Sequence, residues 1–154
     1  MDADLVEEVA RIYGYDNLPT TLPVMNMTDG VLTPKQSKEQ LIRHTLVDLG
    51  LHETLTYTLT SEATVNEFNL FHSLDNTVKL MSPLGEERSA ARKSLIGSLL
   101  QTIHYNNAHS NKDVNIFEIA NTYSDKEVSN LAIAVSGDYV NVPWMGKKEA
   151  VDFY

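Results

Sequence analysis

The sequence predicts an α+β fold whose sheet is largely antiparallel and flanked by helices. Three observations carry that reading. A helix over 34–49 is fully signalled, with Thr33 as N-cap, Pro34 at the first helical position and Gln36 completing a capping box. Two segments, 53–60 and 130–136, alternate with period two, as strands with one buried face do. The connection over 123–129 joins its strands as a hairpin would, which favours antiparallel pairing over a doubly wound parallel sheet.

Taken in order, the first element is a short helix over 4–13. Leu5, Val9 and Ile12 recur at i, i+4, i+7, with Val6 and Tyr13 beside them, and Gly14 supplies the left-handed stop. Residues 17–33 read as a linker, because Pro19 and Pro23 force extended backbone and Asp29-Gly30 marks a turn. In the helix over 34–49, Leu41, Ile42, Leu46 and Leu49 face inward and Gly50 ends it. In the strand over 53–60, Leu55, Tyr57 and Leu59 form the buried side against threonines at 54, 56, 58 and 60.

Residues 61–77 are a short helix or an irregular excursion around Val65, Phe68 and Phe71, and 78–81 a short strand halted by Ser82-Pro83-Leu84-Gly85. A second long helix is capped near Ser94, with Leu95, Leu99 and Ile103 in one stripe beside Ile96 and Leu100. Gly97 inside it costs about 1 kcal/mol against alanine, which implies a close packing contact there. Residues 110–113 turn the chain into a strand over 114–122 carrying Ile116, Phe117 and Ile119. In the strand over 130–136, Leu131, Ile133 and Val135 alternate with Ala132 and Ala134, and the alanine side suits contact with a helix. Gly137 turns the chain, and Val142-Pro143-Trp144 leads toward a final helix. There is no internal repeat and no low-complexity tract.

Composition narrows the function. The 154 residues suffice for one domain with a proper core, and the absence of cysteine excludes disulfides and thiolate metal sites. A net charge of -9 argues against this region being a main nucleic-acid footprint. No apolar run is long enough to span a bilayer, and residues 2–8 are acidic where a secretory leader needs basic ones. A soluble, cytoplasmic protein with no membrane partner is the default. Both ends read as cut, so the chain is expected to be a piece of a longer one.

Chemical motifs are sparse. Neither GxGxxG nor the P-loop pattern occurs. His44, His52, His72, His104 and His109 show no HxxxH or HxH spacing, and no nucleophile turn accompanies any Ser/His/Asp set. Glu86-Glu87-Arg88 reads as a solvated loop rather than a ligand contact. Arg92 stands just before a helix and could reach a carboxylate or phosphate, but pairing with Glu118 or a neighbouring backbone carbonyl is the preferred reading. Tyr57, Tyr105, Tyr123 and Trp144 suit core or interface positions. Asp4, Glu7 and Glu8 fall at i, i+3, i+4, so three carboxylates share one side of a helix. Such a side can hold a hard divalent cation. It can equally be a solvated face, with Arg11 pairing back to Glu7 near an acid-tolerant helix start.

Two segments carry a resemblance. Asp4 to Asp16, read D-L-V-E-E-V-A-R-I-Y-G-Y-D, closely resembles a signature of the beta subunit of bacterial phenylalanyl-tRNA synthetase. So does Met81 to Leu100, against a family pattern of N-P-L-S-x-E followed by R-x-S-L-L-P-G-L-L. Val114-Asn115-Ile116-Phe117-Glu118-Ile119-Ala120 and Val151-Asp152-Phe153-Tyr154 match two further family segments in the right order. Gly85 in place of serine, and Gly97-Ser98 in place of Pro-Gly, are mild departures.

The resemblance implies a ligase that joins phenylalanine to its tRNA with ATP and magnesium, built from two alpha and two beta chains. The alpha chain carries the active site. The beta chain carries editing, tRNA anchoring through its other parts, and a non-catalytic copy of the class II aminoacyl-tRNA synthetase core. On this reading residues 1–16 are the C-terminal helix of a preceding module, 17–33 a linker, and 34–154 the class II-like core, truncated at its C-terminus. The helix over 34–49 and the strand through Tyr57 then face the alpha subunit. Asp4, Glu7 and Glu8 become ligands of a magnesium ion shared with the alpha subunit, while a further aspartate upstream lies outside the chain; without these partners the ion is bound weakly or not at all. No catalytic or cofactor-binding residue is expected. An active class II core needs an arginine on the strand over 116–124, and none occurs there. The alternative is a free-standing acidic metal-binding or protein-interaction domain; a self-sufficient catalytic domain is disfavoured by the missing arginine.

Overall fold

The computed structural model describes residues 2–27, 29–68 and 77–152. The chain forms two compact units, 1–31 and 32–154. In the first, α1 (Asp2–Tyr13) buries none of its residues. Gly14, at φ 94°, ends it, and one 3-10 turn over Tyr15–Asn17 follows, fastened by Asn17 Nδ2 donating to the Tyr13 carbonyl at 2.7 Å. The linker turn at Asp29-Gly30 is present, with Val31 N–H donating to the Asp29 carbonyl at 2.8 Å. Arg11 pairs with Glu8 (2.6 Å), not with Glu7, because one turn of helix sets i and i+3 side by side as readily as i and i+4.

The second unit opens with α2 (Pro34–Asp48). Its capping box forms as its residues dictate: Gln36 N–H donates to Thr33 Oγ1 at 3.3 Å and Thr33 N–H to Gln36 Oε1 at 2.9 Å. Gly50 turns the chain at φ 88°. Leu46 is buried with Leu51 and Phe117, and Ile119 packs against them. Leu41 is 68% exposed, however, and Ile42 and Leu49 are exposed too, against the inward placement expected of them. The helix covers the sheet through Leu46, and the side holding Leu41 stays bare.

The expected strand over 53–60 is broken. β1 (His52–Glu53) runs parallel to β4 (Val114–Tyr123), with His52 opposite Ile116. β2 (Leu59–Thr60) instead pairs antiparallel with β3 (Ala90–Ala91). Between them Leu55 is 85% and Tyr57 67% exposed, the reverse of the predicted faces. The cause is Glu118, whose carboxylate accepts from Thr56 N–H (3.2 Å) and Thr56 Oγ1 (2.7 Å). With Thr56 turned inward, the residues on either side must turn outward.

Residues 78–81 make a single bridge, Lys79 to Ala90, rather than a strand, since the run stops short of Pro83. α3 (Glu62–Glu67) is capped by Ser61 and buries Val65. Phe71 lies outside the described residues, as do Phe153 and Tyr154. In α4 (Ile96–Ala108), Ser94 Oγ accepts from Ile96 N–H at 3.1 Å, Leu99 is buried and Leu100 is not. Gly97 does make a close contact: a Cβ there would lie 2.9 Å from Phe68 and 3.0 Å from Thr64.

β4 and β5 (Glu127–Ser136) form a long antiparallel ladder, from Val114 opposite Ser136 to Tyr123 opposite Glu127. Ala132 and Ala134 lie with Val114 and Ile116 beneath Leu99 and Ile103 of α4, as the alternation implied. The three-stranded sheet has the order β1-β4-β5. In place of the expected final helix, β6 (Asp138–Val142) and β7 (Lys147–Ala150) form an antiparallel hairpin. The helical start at Pro143 lasts one 3-10 turn, because Gly146 adopts the left-handed conformation (φ 62°) and reverses the chain. Asp138 pairs with Lys148 at 2.7 Å, and that hydrogen bond holds the Lys148 ammonium above its ordinary range.

Gly137 has φ 80°, and a Cβ there would run into the Lys112 carbonyl oxygen. Gly137→Ala is expected to destabilise the domain by about 2 kcal/mol, read as a lower urea midpoint at unchanged slope.

Candidate functional site

Three features could carry chemistry. The first is the acidic side of α1. Asp4, Glu7 and Glu8 all lie exposed on the helix, in the predicted register. Their carboxylate oxygens suit a hard cation, but Glu8 is held by Arg11 through both Nε (3.0 Å) and Nη2 (2.6 Å). Among the described residues no three His, Asp or Glu side chains converge on a point where an ion could sit. The donor chemistry fits magnesium, and the geometry of this chain alone does not complete a site. The histidines supply nothing further: a protonated His109 Nδ1 donates to the Tyr105 carbonyl at 2.7 Å and its ring rests on Tyr105, a local helix-end arrangement.

The second feature is a buried polar pin. Arg92 and Glu118 are almost fully buried and pair at 2.9 Å. Arg92 Nη1 also donates to Thr56 Oγ1 (2.8 Å), and Arg92 Nε to the Asn121 carbonyl (3.1 Å). The sequence indicated Glu118 or a backbone carbonyl for this guanidinium; the structure uses both. Thr56 went unrecognised, because a threonine in an alternating run looks like the wet side of a strand. Backbone bonds extend the pin: Arg92 N–H donates to the Thr58 carbonyl (3.0 Å), and Tyr123 N–H to the Arg92 carbonyl (2.9 Å). Lys93, also buried, is engaged within the fold.

The third feature is an open cavity of about 510 Å³ between the 55–61 segment, the 86–88 turn and α4. Its wall combines Leu55, Leu59 and Tyr105 with the hydroxyls of Ser61, Ser98 and Thr102. The Arg88 guanidinium lies 3.5 Å above the Tyr57 ring at its edge. This stack joins residues far apart in sequence, so no local spacing announced it.

These features have relatives. A family profile for the phenylalanyl tRNA synthetase beta chain CLM domain matches residues 18–154. The chain belongs to the phenylalanyl-tRNA synthetase beta-chain family. It is 41% identical, over 98% of its length, to the phenylalanine–tRNA ligase beta subunits of Staphylococcus aureus (strain Mu50) and of Staphylococcus epidermidis. It spans about 20% of the length of those relatives. Among solved structures it is similar to a pyrrolysyl tRNA synthetase from Desulfitobacterium hafniense, with TM-score 0.53 and 16% identity over 65% of this chain and 36% of that one. That likeness is one of fold alone, a mixed α+β arrangement. Among the described residues no helix is long and apolar enough to cross a membrane.

The pin gives this core a measurable signature. Removing one partner leaves the other charge buried and unpaired, so Arg92→Ala and Glu118→Ala are each expected to cost about 3–5 kcal/mol. A double-mutant cycle should return a coupling energy well above about 1 kcal/mol, and additive losses would show that the two charges do not stabilise one another.

Proposed function

We propose that this chain is a non-catalytic assembly region of a phenylalanine–tRNA ligase, contributed by the beta subunit and lying against the alpha subunit. The complete enzyme would be a heterotetramer of two alpha and two beta chains that uses ATP and magnesium to attach phenylalanine to tRNA. The supporting observation is the commitment of the Arg92 guanidinium. A site that activates an amino acid needs cationic charge aimed at the nucleotide phosphate, where charge develops in the transition state. Here Arg92 is consumed by Glu118, Thr56 and a backbone carbonyl, and β4 carries no arginine of its own.

Exposed apolar residues support the alpha-facing role. Leu41 and Ile42 on α2, with Leu55 and Tyr57 beyond β1, lie bare on the elements expected to meet the alpha subunit. On those elements such side chains would be covered by the alpha subunit rather than left in water. The acidic net charge agrees with tRNA being held by other parts of the beta chain. Kinship to a translation ligase supports a cytoplasmic assembly.

Asp4, Glu7 and Glu8 complete the proposal as magnesium ligands. Magnesium demands near-octahedral oxygen coordination and keeps several waters. Three carboxylates on one exposed helix cannot enforce that geometry, so the remaining ligands would come from the alpha subunit and from preceding beta-chain residues.

Calorimetric titration of the chain with ATP and magnesium is expected to give no saturable heat, whereas separately prepared alpha subunit should co-purify with the full-length beta subunit. Saturable ATP binding, or no association, would count against the assembly role. The triple substitution Asp4→Ala, Glu7→Ala, Glu8→Ala should leave the magnesium dependence of the melting temperature of this chain unchanged. In the reconstituted enzyme it should abolish the extra stability that magnesium confers; an intact magnesium effect there would exclude these residues as ligands.

A further inference from the structure

The cavity beside α4 holds a charge that the fold does not use. Arg88 is the sole cation among its lining residues. Its guanidinium face is occupied by Tyr57 at 3.5 Å, which fixes its position but leaves its N–H donors unspent, since no hydrogen bond or ion pair of that side chain occurs among the described residues. Each other described ion pair of the second unit joins its cation to a carboxylate of the same unit, as with Arg43 and Glu53, Lys79 and Glu62, and Arg92 and Glu118. Leu55 and Leu59 stand next to Arg88 in the cavity wall, so a charged donor and an apolar wall adjoin.

We propose that this cavity is a socket for a carboxylate side chain of the alpha subunit, an aspartate or glutamate seated on Arg88 with an apolar neighbour against Leu55 and Leu59. The inference rests on the alpha-facing reading above and names the contact that reading leaves open. A guanidinium held over a ring is already positioned for a carboxylate, so less rotamer entropy is lost when the pair forms. Charge complementarity selects this occupant. A phosphodiester also pairs with arginine, and a base can stack on tyrosine, but nucleic-acid binding draws on several cations. Here a single arginine serves the cavity.

The test uses full-length beta subunit and alpha subunit. Arg88→Glu is expected to weaken their association by about tenfold or more while leaving the melting temperature of the free beta chain unchanged, because the residue is exposed. A photo-crosslinking benzoylphenylalanine at position 55 should capture an alpha-subunit peptide that contains an aspartate or glutamate. If wild type and Arg88→Glu bind the alpha subunit equally, the socket is wrong and the assembly role stands. A crosslink to tRNA, or to an alpha peptide lacking an acid, also overturns the socket. If wild-type beta subunit fails to bind the alpha subunit at all, the alpha-facing reading falls and takes the socket with it.

Discussion

Placing a guanidinium and a carboxylate side by side away from water costs several kcal/mol in desolvation, and their mutual attraction offsets that only when the remaining donors and acceptors are also satisfied. In this domain both carboxylate oxygens, Arg92 Nε and Arg92 Nη1 have partners. Arg92 and Glu118 share Thr56 between them, and Arg92 reaches on to the Asn121 carbonyl. The pair joins three stretches of chain that are distant in sequence: the segment after β1, the residue between β3 and α4, and the central strand β4. Removing one partner leaves the other charge buried and unpaired. The domain is therefore pinned by a polar contact beside two modest apolar clusters, one around Phe117 and one around Leu99.

That pin decides what the surface looks like. Because Thr56 must point inward to reach Glu118, its neighbours Leu55 and Tyr57 must point outward, by the alternation of any extended chain. The same stretch that stabilises the core thus presents apolar side chains to the outside. α2 behaves similarly: Leu46 anchors it, and Leu41 is left uncovered on another side. In the proposed assembly these side chains would be the ones the alpha subunit covers; the beta-chain relatives are about five times longer than this chain.

Local chemistry made much of this legible in the sequence. The capping box at Thr33, the left-handed stops at Gly14 and Gly50, the turn at Gly137 and the β4–β5 hairpin all follow from residues within a few positions of one another. The failures were non-local or polar. In 53–60 the alternation holds only over 54–57, with its faces inverted, because a buried glutamate 62 residues away claims Thr56 from the side that composition marks as wet. At the C-terminal end, Pro143 signals a helix start, yet β7 is a charged Lys-Lys-Glu-Ala run with weak strand propensity, and its pairing comes from β6 rather than from its own composition. The acidic side of α1 was legible as spacing. Whether it gathers an ion was not, because helical neighbours sit roughly 5–6 Å apart at Cβ and converge only if something draws them together; here Arg11 draws Glu8 sideways instead.

The departure at Gly85 illustrates how little a family difference can mean for a turn. Its φ of -162° is ordinary extended backbone, open to any residue, so conformational freedom is not why glycine is tolerated there. Space is the relevant quantity: the Glu87 carboxylate folds back over Gly85 where a side chain would otherwise begin. That carboxylate is the flexible end of an exposed side chain, and a serine would displace it at small cost. The backbone bond that closes the turn, Arg88 N–H to the Gly85 carbonyl at 3.2 Å, involves no side chain and would persist. Arg88 would keep its place on Tyr57, and the exchange would alter the distribution of negative charge at the cavity mouth while leaving its shape intact.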